Sequence, residues 1–239
     1  GKILFKVGGF VENKLKSNLQ KNKSIILVEK KDFSIYNAWN QSLDFLESLN
    51  INKNSYVIFL GLDDVLKEDY LKKACDITKN SNKIDFLYGD FQSILGNYHR
   101  NFKSKSNPNI FKKNNFSFDI PHPGLLNKWN LIRDYRFNED YKLAADFDFY
   151  LRISLKKTVN FKYIPLIQAT LGANGISNSY KAKSIYLKEW HEISLKNKVD
   201  LDLDLKRSKF INLLSRFPLL FSFFRNLYWK LFATKNKSN

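Results

Sequence analysis

Four short apolar runs, at residues 3–5, 24–28, 56–60 and 84–88, are separated by amphipathic stretches long enough to be helices. That spacing constrains the fold more than any other feature. Runs of four or five apolar residues are ambiguous by periodicity alone, but strands joined through helical segments of about ten or more residues belong to βαβ units, because a parallel neighbour cannot be reached through a tight turn. The alternation predicts an α/β protein with a mainly parallel sheet flanked by helices. Helices are expected through Ala38, Leu43 and Leu46 and over residues 68–78; residues 141–153 open another with acidic residues near its start, and a strand follows at 161–169. From Tyr180 onward the chain reads as helical. Residues 92–119 lose periodicity and collect Asn, Lys and Ser, which reads as a long irregular excursion.

Composition narrows the class. The 239 residues suffice for one domain of ordinary size with an appendage, and 44% hydrophobic residues exclude a disordered chain. The single cysteine, Cys75, excludes a disulfide framework and a Cys-based zinc cluster and points to a reducing compartment. No signal peptide opens the sequence, and no stretch approaches the roughly 18 uninterrupted apolar residues of a membrane-spanning helix. A balance of 40 Lys+Arg against 23 Asp+Glu gives a net charge of +17, but the excess of Lys and Asn is spread over the whole length, unlike a nucleic-acid-binding arm. With no Met, and a strand starting almost at Gly1, the chain is expected to be the interior of a longer protein, truncated at its N-terminus.

In an open α/β sheet the ligand crevice lies outside the carboxyl ends of the strands, so polar residues directly after an apolar run carry the chemistry. FLGLDD at 59–64 fits. Two carboxylates, Asp63 and Asp64, at the end of a buried strand repel one another and lose hydration, a cost that a divalent cation removes. Hard oxygen ligands suit Mg2+ or Mn2+, with substrate phosphates completing the shell. The other reading is that one Asp caps the following helix; the two roles can coexist. A second pair, Asp146 and Asp148 in AADFDF at 144–149, lies among aromatic neighbours. A carboxylate shielded from water holds its proton more tightly and makes a competent general base, while the same residues could instead cap a helix or pair with Arg152.

The order of these segments resembles the family 2 inverting glycosyltransferases of GT-A fold, in particular the bacterial branch that builds surface polysaccharides. The matching motifs are SIYNAWN at 34–40, FLGLDD at 59–64, YGD at 88–90, His122 with Pro123, AADFDF at 144–149 and GIS at 175–177. Motif order adds specificity that each short match lacks. The resemblance implies that Asp63 ligates the metal, with Asp64 its neighbour, and that Asp146 is the catalytic base. It places Tyr36 and Asn40 on the donor side, and Asp90, His122 and Asp148 near donor sugar or acceptor. It also implies that about one 30-residue strand-helix unit precedes Gly1 in relatives. The implied organisation is a GT-A-like catalytic domain over residues 1–179 and a C-terminal helical extension over 180–239. The implied activity moves a sugar from a nucleotide diphosphate donor to a hydroxyl of a lipid-linked or surface glycan, with inversion. A chain of this pattern that had lost catalysis would instead bind a partner or membrane.

The extension carries its own signal. Residues 206–239 hold eight Lys or Arg and no acidic residue, interleaved with Phe217, Leu219, Phe223, Phe224, Trp229 and Phe232. Apolar and basic residues on one helical segment suit the interface of an anionic membrane. A helix packed on the catalytic domain with a solvated basic face would share that composition. The expectation is a cytoplasmic enzyme held peripherally at the inner face of the cell membrane, with no nucleic-acid partner, since no recognition-helix or aromatic-basic sheet pattern accompanies the charge.

Overall fold

The computed structural model of the chain describes residues 3–7, 17, 21, 23, 25–61, 64–104, 106, 114–116, 120–172, 180–201, 213 and 217–235. Strands β1 (Ile3–Val7) and β2 (Ile25–Glu29) pair in parallel, with Ile3 opposite Ile25. Helix α1 (Ile35–Ser48) starts where Ser34, in extended conformation, accepts the Asn37 N–H on its hydroxyl at 3.1 Å, satisfying a donor that the first turn leaves open. After β3 (Tyr56–Ile58) and β4 (Val65–Leu66) comes α2 (Glu68–Lys79), with Glu68 and Asp69 in its first turn and Lys79 in its last, the arrangement that the helix dipole favours.

The long strand β5 (Phe86–Leu95) organises the rest. It turns at Gly96, whose φ is +55°, into β6 (Tyr98–Phe102), and the two pair antiparallel from Leu95 opposite Tyr98 to Phe91 opposite Phe102. There follow β7 (Asn114–Phe116), β8 (Leu126–Lys128), α3 (Trp129–Ile132), α4 (Ala145–Lys156), β9 (Phe161–Gly172), α5 (Tyr180–Asn197), β10 (Asp200–Leu201), α6 (Pro218–Phe232) and β11 (Thr234–Lys235). One edge of β5 is taken by β9 in parallel, while the other edge is shared by β8 at its start and β6 at its end, both antiparallel. The main sheet runs β11-β6-β5-β8-β3, and β4 joins β9.

The α/β class with flanking helices is as expected, and the C-terminal helices are present. The large sheet is mixed: its parallel pairing lies between β5 and β9, beside antiparallel neighbours. The cause is local. Residues 92–102, expected to be irregular, are a hairpin, and a two-residue connection delivers an antiparallel strand.

Alternation along β5 divides the core. Phe86 and Tyr88 face one side with Leu43 of α1, Trp129 and Ile132 of α3, and Phe149, Tyr150 and Leu151 of α4, all buried. Leu87 faces the other side with Tyr70 and Ala74 of α2 and with Leu126 and Ile164. Ile193 of α5 is fully buried in the first cluster, with Tyr186 and Trp190 packed against it. A side chain on Gly89 would collide with the Leu166 carbonyl of β9, so the β5 and β9 backbones meet there as only glycine permits.

Candidate active site

The turn leading into α4 has no side-chain cap of its own: Ala144 stands at the N-cap. The donors are satisfied from α5 instead. Buried Glu189 accepts the Lys142 N–H on Oε1 at 2.7 Å, and the N–H groups of Leu143 and Ala144 on Oε2 at 3.0 and 2.9 Å. From the other side the Ala145 backbone hydrogen-bonds the hydroxyl of buried Tyr36. A helix and a distant carboxylate thus set the path of the chain into Asp146.

Asp146 sits in the first turn of α4, and its Oδ1 accepts the Phe147 N–H at 2.8 Å. Burial raises its carboxyl from 3.8 to about 6; the Phe147 and Asp146 N–H groups pull it down, and the charge of Glu189 adds a small upward push. Three phenols, Tyr36, Tyr150 and Tyr186, are pushed up chiefly by their own burial and then by the Asp146 charge. A carboxylate in this setting takes up a proton more readily than one in water and is still ionised at neutral pH. That is the requirement for a general base.

Tyr150, whose phenol feels the Asp146 charge, meets His122. Its hydroxyl donates to Asn127 Oδ1 at 2.9 Å and meets His122 Nδ1 at 2.9 Å. With the phenol proton committed to Asn127, Nδ1 carries the imidazole proton and Nε2 is left an acceptor without a partner among the described residues. Burial lowers the imidazole to about 3, so the ring is neutral. It lies 4.6 Å from the Trp39 ring and 5.5 Å from that of Phe59, the residue that follows β3 toward Asp63 and Asp64. Fully buried Gln168 of β9 fastens this loop to the sheet: Oε1 accepts the Gly89 N–H at 2.6 Å, and Nε2 donates to the carbonyls of Pro121 and Pro123.

The structure thus brings Tyr36, His122 and Asp146 together. The other expected residues lie apart from that centre or in fixed pairs. Asn40 clasps Phe137 through both its N–H and its carbonyl and donates to Glu139, which Asn37 also holds. Asp148 is buried, with its carboxylate 2.8 Å from Arg152 Nε, the ion pair that its spacing allowed, so its contact is with Arg152. Asp90 accepts the Ser104 N–H and the Tyr163 hydroxyl, tying the end of β6 and β9 to β5. Asp64 accepts the Gly61 N–H at 3.0 Å. Asp63 and the GIS motif at 175–177 lie outside the described residues. Among the described residues no three His, Cys, Asp or Glu side chains gather as a metal-ligand set.

Glu189 and Gln168 were not among the residues singled out from sequence. Glu189 had a signal: with Tyr186, Trp190 and Ile193 it shares the apolar stripe of α5, where a carboxylate is costly unless hydrogen-bonded. Gln168, inside a strand, had none.

The chain matches no protein-family model. Over 145 residues it is 26% identical to the uncharacterised glycosyltransferase MJ1057 of Methanocaldococcus jannaschii, a match covering 59% of this chain and 48% of that protein. The chain therefore spans about half the length of the curated relative it resembles. Among solved structures it superposes on S. aureus TarS residues 1–349 in complex with UDP, at a TM-score of 0.53 and 13% identity, covering 87% of this chain and 58% of that one. A second structure of the same TarS fragment gives a TM-score of 0.52 at 12% identity, with the same coverage. The mixed sheet with its flanking helices is the fold of TarS.

Proposed function

We propose that the chain is the catalytic part of a GT-A, family 2 glycosyltransferase that moves a sugar from a nucleotide diphosphate donor to a hydroxyl of a lipid-linked or surface glycan, with inversion. The observation that carries this reading is Asp146: a carboxylate at a helix start, raised to about 6 by burial and set among the phenols of Tyr36, Tyr150 and Tyr186, in a glycosyltransferase fold. Asp146 takes the proton from the acceptor hydroxyl as that oxygen attacks the anomeric carbon, and attack from the face opposite the leaving diphosphate inverts the centre. Tyr36 and Glu189 fix the backbone that aims the base, and neutral His122 stacks on Phe59 at the end of β3 and meets the Tyr150 hydroxyl. A divalent ion held at Asp63 would neutralise charge on the leaving diphosphate. The UDP bound to TarS supports a nucleoside diphosphate as the leaving group here.

Thermal unfolding in the presence of nucleoside diphosphates, with and without Mn2+, tests the donor half of the reading. A ligand that binds only the folded state raises its stability, by about 2.7 kcal/mol at a hundred times its dissociation constant. A rise with one nucleoside diphosphate, enlarged by Mn2+ and abolished of its Mn2+ component in Asp63→Asn, is expected. No rise with any of them would overturn the proposal.

A further inference from the structure

α6 is amphipathic in the reverse of the usual sense. Helices of soluble proteins turn the apolar stripe inward. Here the stripe packed on the protein is narrow and holds half-buried Phe221, Ser222 and Arg225 and the buried Trp229, while the broader opposite face is apolar and open. At spacings of one, three and four residues from Leu219 to Phe232, each position of that face is a Leu, Phe or Tyr. Leu219 is 87% exposed, Phe223 61%, Leu231 66% and Phe232 63%. The orientation is pinned at the end of the helix. β11 pairs with β6, Thr234 opposite His99, and the Arg100 guanidinium of β6 lies 4.7 Å from the Tyr228 ring and 4.8 Å from that of Phe102.

We propose that this face docks the protein onto an anionic membrane surface, with α6 lying in the plane of the interface. Length excludes a span: the 15 residues of the helix reach about 22 Å, short of the ~30 Å hydrocarbon core. Charge selects the occupant. The eight cations of residues 206–239 have no acidic residue among them, and the whole chain carries +17. A second copy would bring the same charge against itself, whereas anionic headgroups attract a segment of that charge and meet a cation that flanks an apolar face sunk to the acyl boundary. Lys230, exposed in the last turn of the helix, is one such flank. The proposal is independent of the transfer reaction.

Flotation of the whole chain with phosphatidylcholine vesicles, with and without phosphatidylglycerol, tests it. The protein should float with the anionic vesicles, at least about tenfold more tightly than with the neutral ones, and less well as NaCl rises from about 0.1 M to about 0.5 M. The triple variant Leu219→Asn, Phe223→Asn, Leu231→Asn should lose at least about tenfold of that affinity while unfolding at the parent's temperature, because these side chains meet solvent. Absence of binding to anionic vesicles at low salt overturns the proposal, as does a triple variant that floats like the parent. A parent that sediments as a dimer, is freed to monomer by the triple variant and ignores vesicles overturns it in favour of self-association.

Discussion

α5 and α6 come from one basic, aromatic stretch of the chain and end in opposite surroundings. In α5 the aromatic residues face the protein: Trp190 stacks on Phe147 of α4 at 4.9 Å, Tyr186 packs against the core and Ile193 is fully buried. In α6 Trp229 is buried, while Leu219, Leu220, Phe223, Phe224, Leu231 and Phe232 are exposed. Apolar content therefore does not decide which way a helix turns. The distinguishing residue is Glu189, whose carboxylate finds three backbone donors at the start of α4. A carboxylate on an apolar stripe requires an interior partner, and that partner fixes the register of α5 on the body. α6 carries Arg225 and Lys230 and no carboxylate, so it has no group that must find backbone donors in the interior.

The comparison breaks most visibly through Ile193. Ile193→Ala should cost about 2–5 kcal/mol in urea unfolding, from lost burial and the cavity left behind. A cost below about 1 kcal/mol would mean that α5 is not part of the core it packs against here. The next effect is at the base that α5 helps to aim. Asp146→Asn should lower transfer by at least about a hundredfold with donor affinity unchanged. Because the base must be ionised, transfer by the parent should rise with pH through about 6 and level off above it. Stability carries the opposite slope. The fold raises this carboxyl from 3.8 to about 6, so its contribution is fully present below about 4 and is lost as pH climbs through 6. Asp146→Asn should thus be more stable than the parent at pH 8, by about 1–3 kcal/mol, the lower figure reflecting the part of Asp146 that meets solvent, and equal to it near pH 4. A variant that loses donor binding as fully as transfer would make Asp146 a donor-binding residue.

Much of this frame was legible in the sequence. The helices expected through Ala38, Leu43 and Leu46 and over 68–78 are α1 and α2, and the apolar runs at 56–60 and 84–88 became β3 and the start of β5. The hairpin of β5 and β6 was missed although Gly96 and Asn97 form a turn signal, because the flanking residues from Phe91 to Phe102 mix polar and apolar types on both faces of a half-exposed strand. Asp146 stood out for its aromatic company, and that company is what shields it. Asp148, two positions away, has the same sequence neighbours, but two positions turn a helical residue through more than half a circle, and it meets Arg152 instead. Gln168 and Glu189 act across 79 and 45 residues, a range over which adjacency in sequence says nothing.

Glu189→Gln sharpens the inner half of the comparison with a smaller effect. The amide places a donor against backbone donors, leaving at least one buried N–H unsatisfied, a loss of about 1–3 kcal/mol. It also removes a negative charge that raises Asp146, so the acid limb of the pH profile should move to lower pH. A purely structural role would reduce stability and leave the limb in place, so the two readouts separate the roles.

The smallest effect belongs to α6 and is the most discriminating. Leu231→Ala removes the same kind of bulk as Ile193→Ala, but from a side chain that is 66% exposed where Ile193 is fully buried. In the free protein it should change stability by no more than about 0.5 kcal/mol, since neither cavity nor lost burial follows. Any helix-propensity gain from Ala lies within the same range, because Leu and Ala are both strong helix formers. The pair of truncations therefore reads the direction of each helix directly. Equal, large losses would mean that the face of α6 is covered in solution, by a second copy or by another part of the chain, and the contrast between the two helices would vanish. A large loss at Ile193 and almost none at Leu231 would leave the outward face of α6 free in solution, open to burial against a surface that the described residues do not supply.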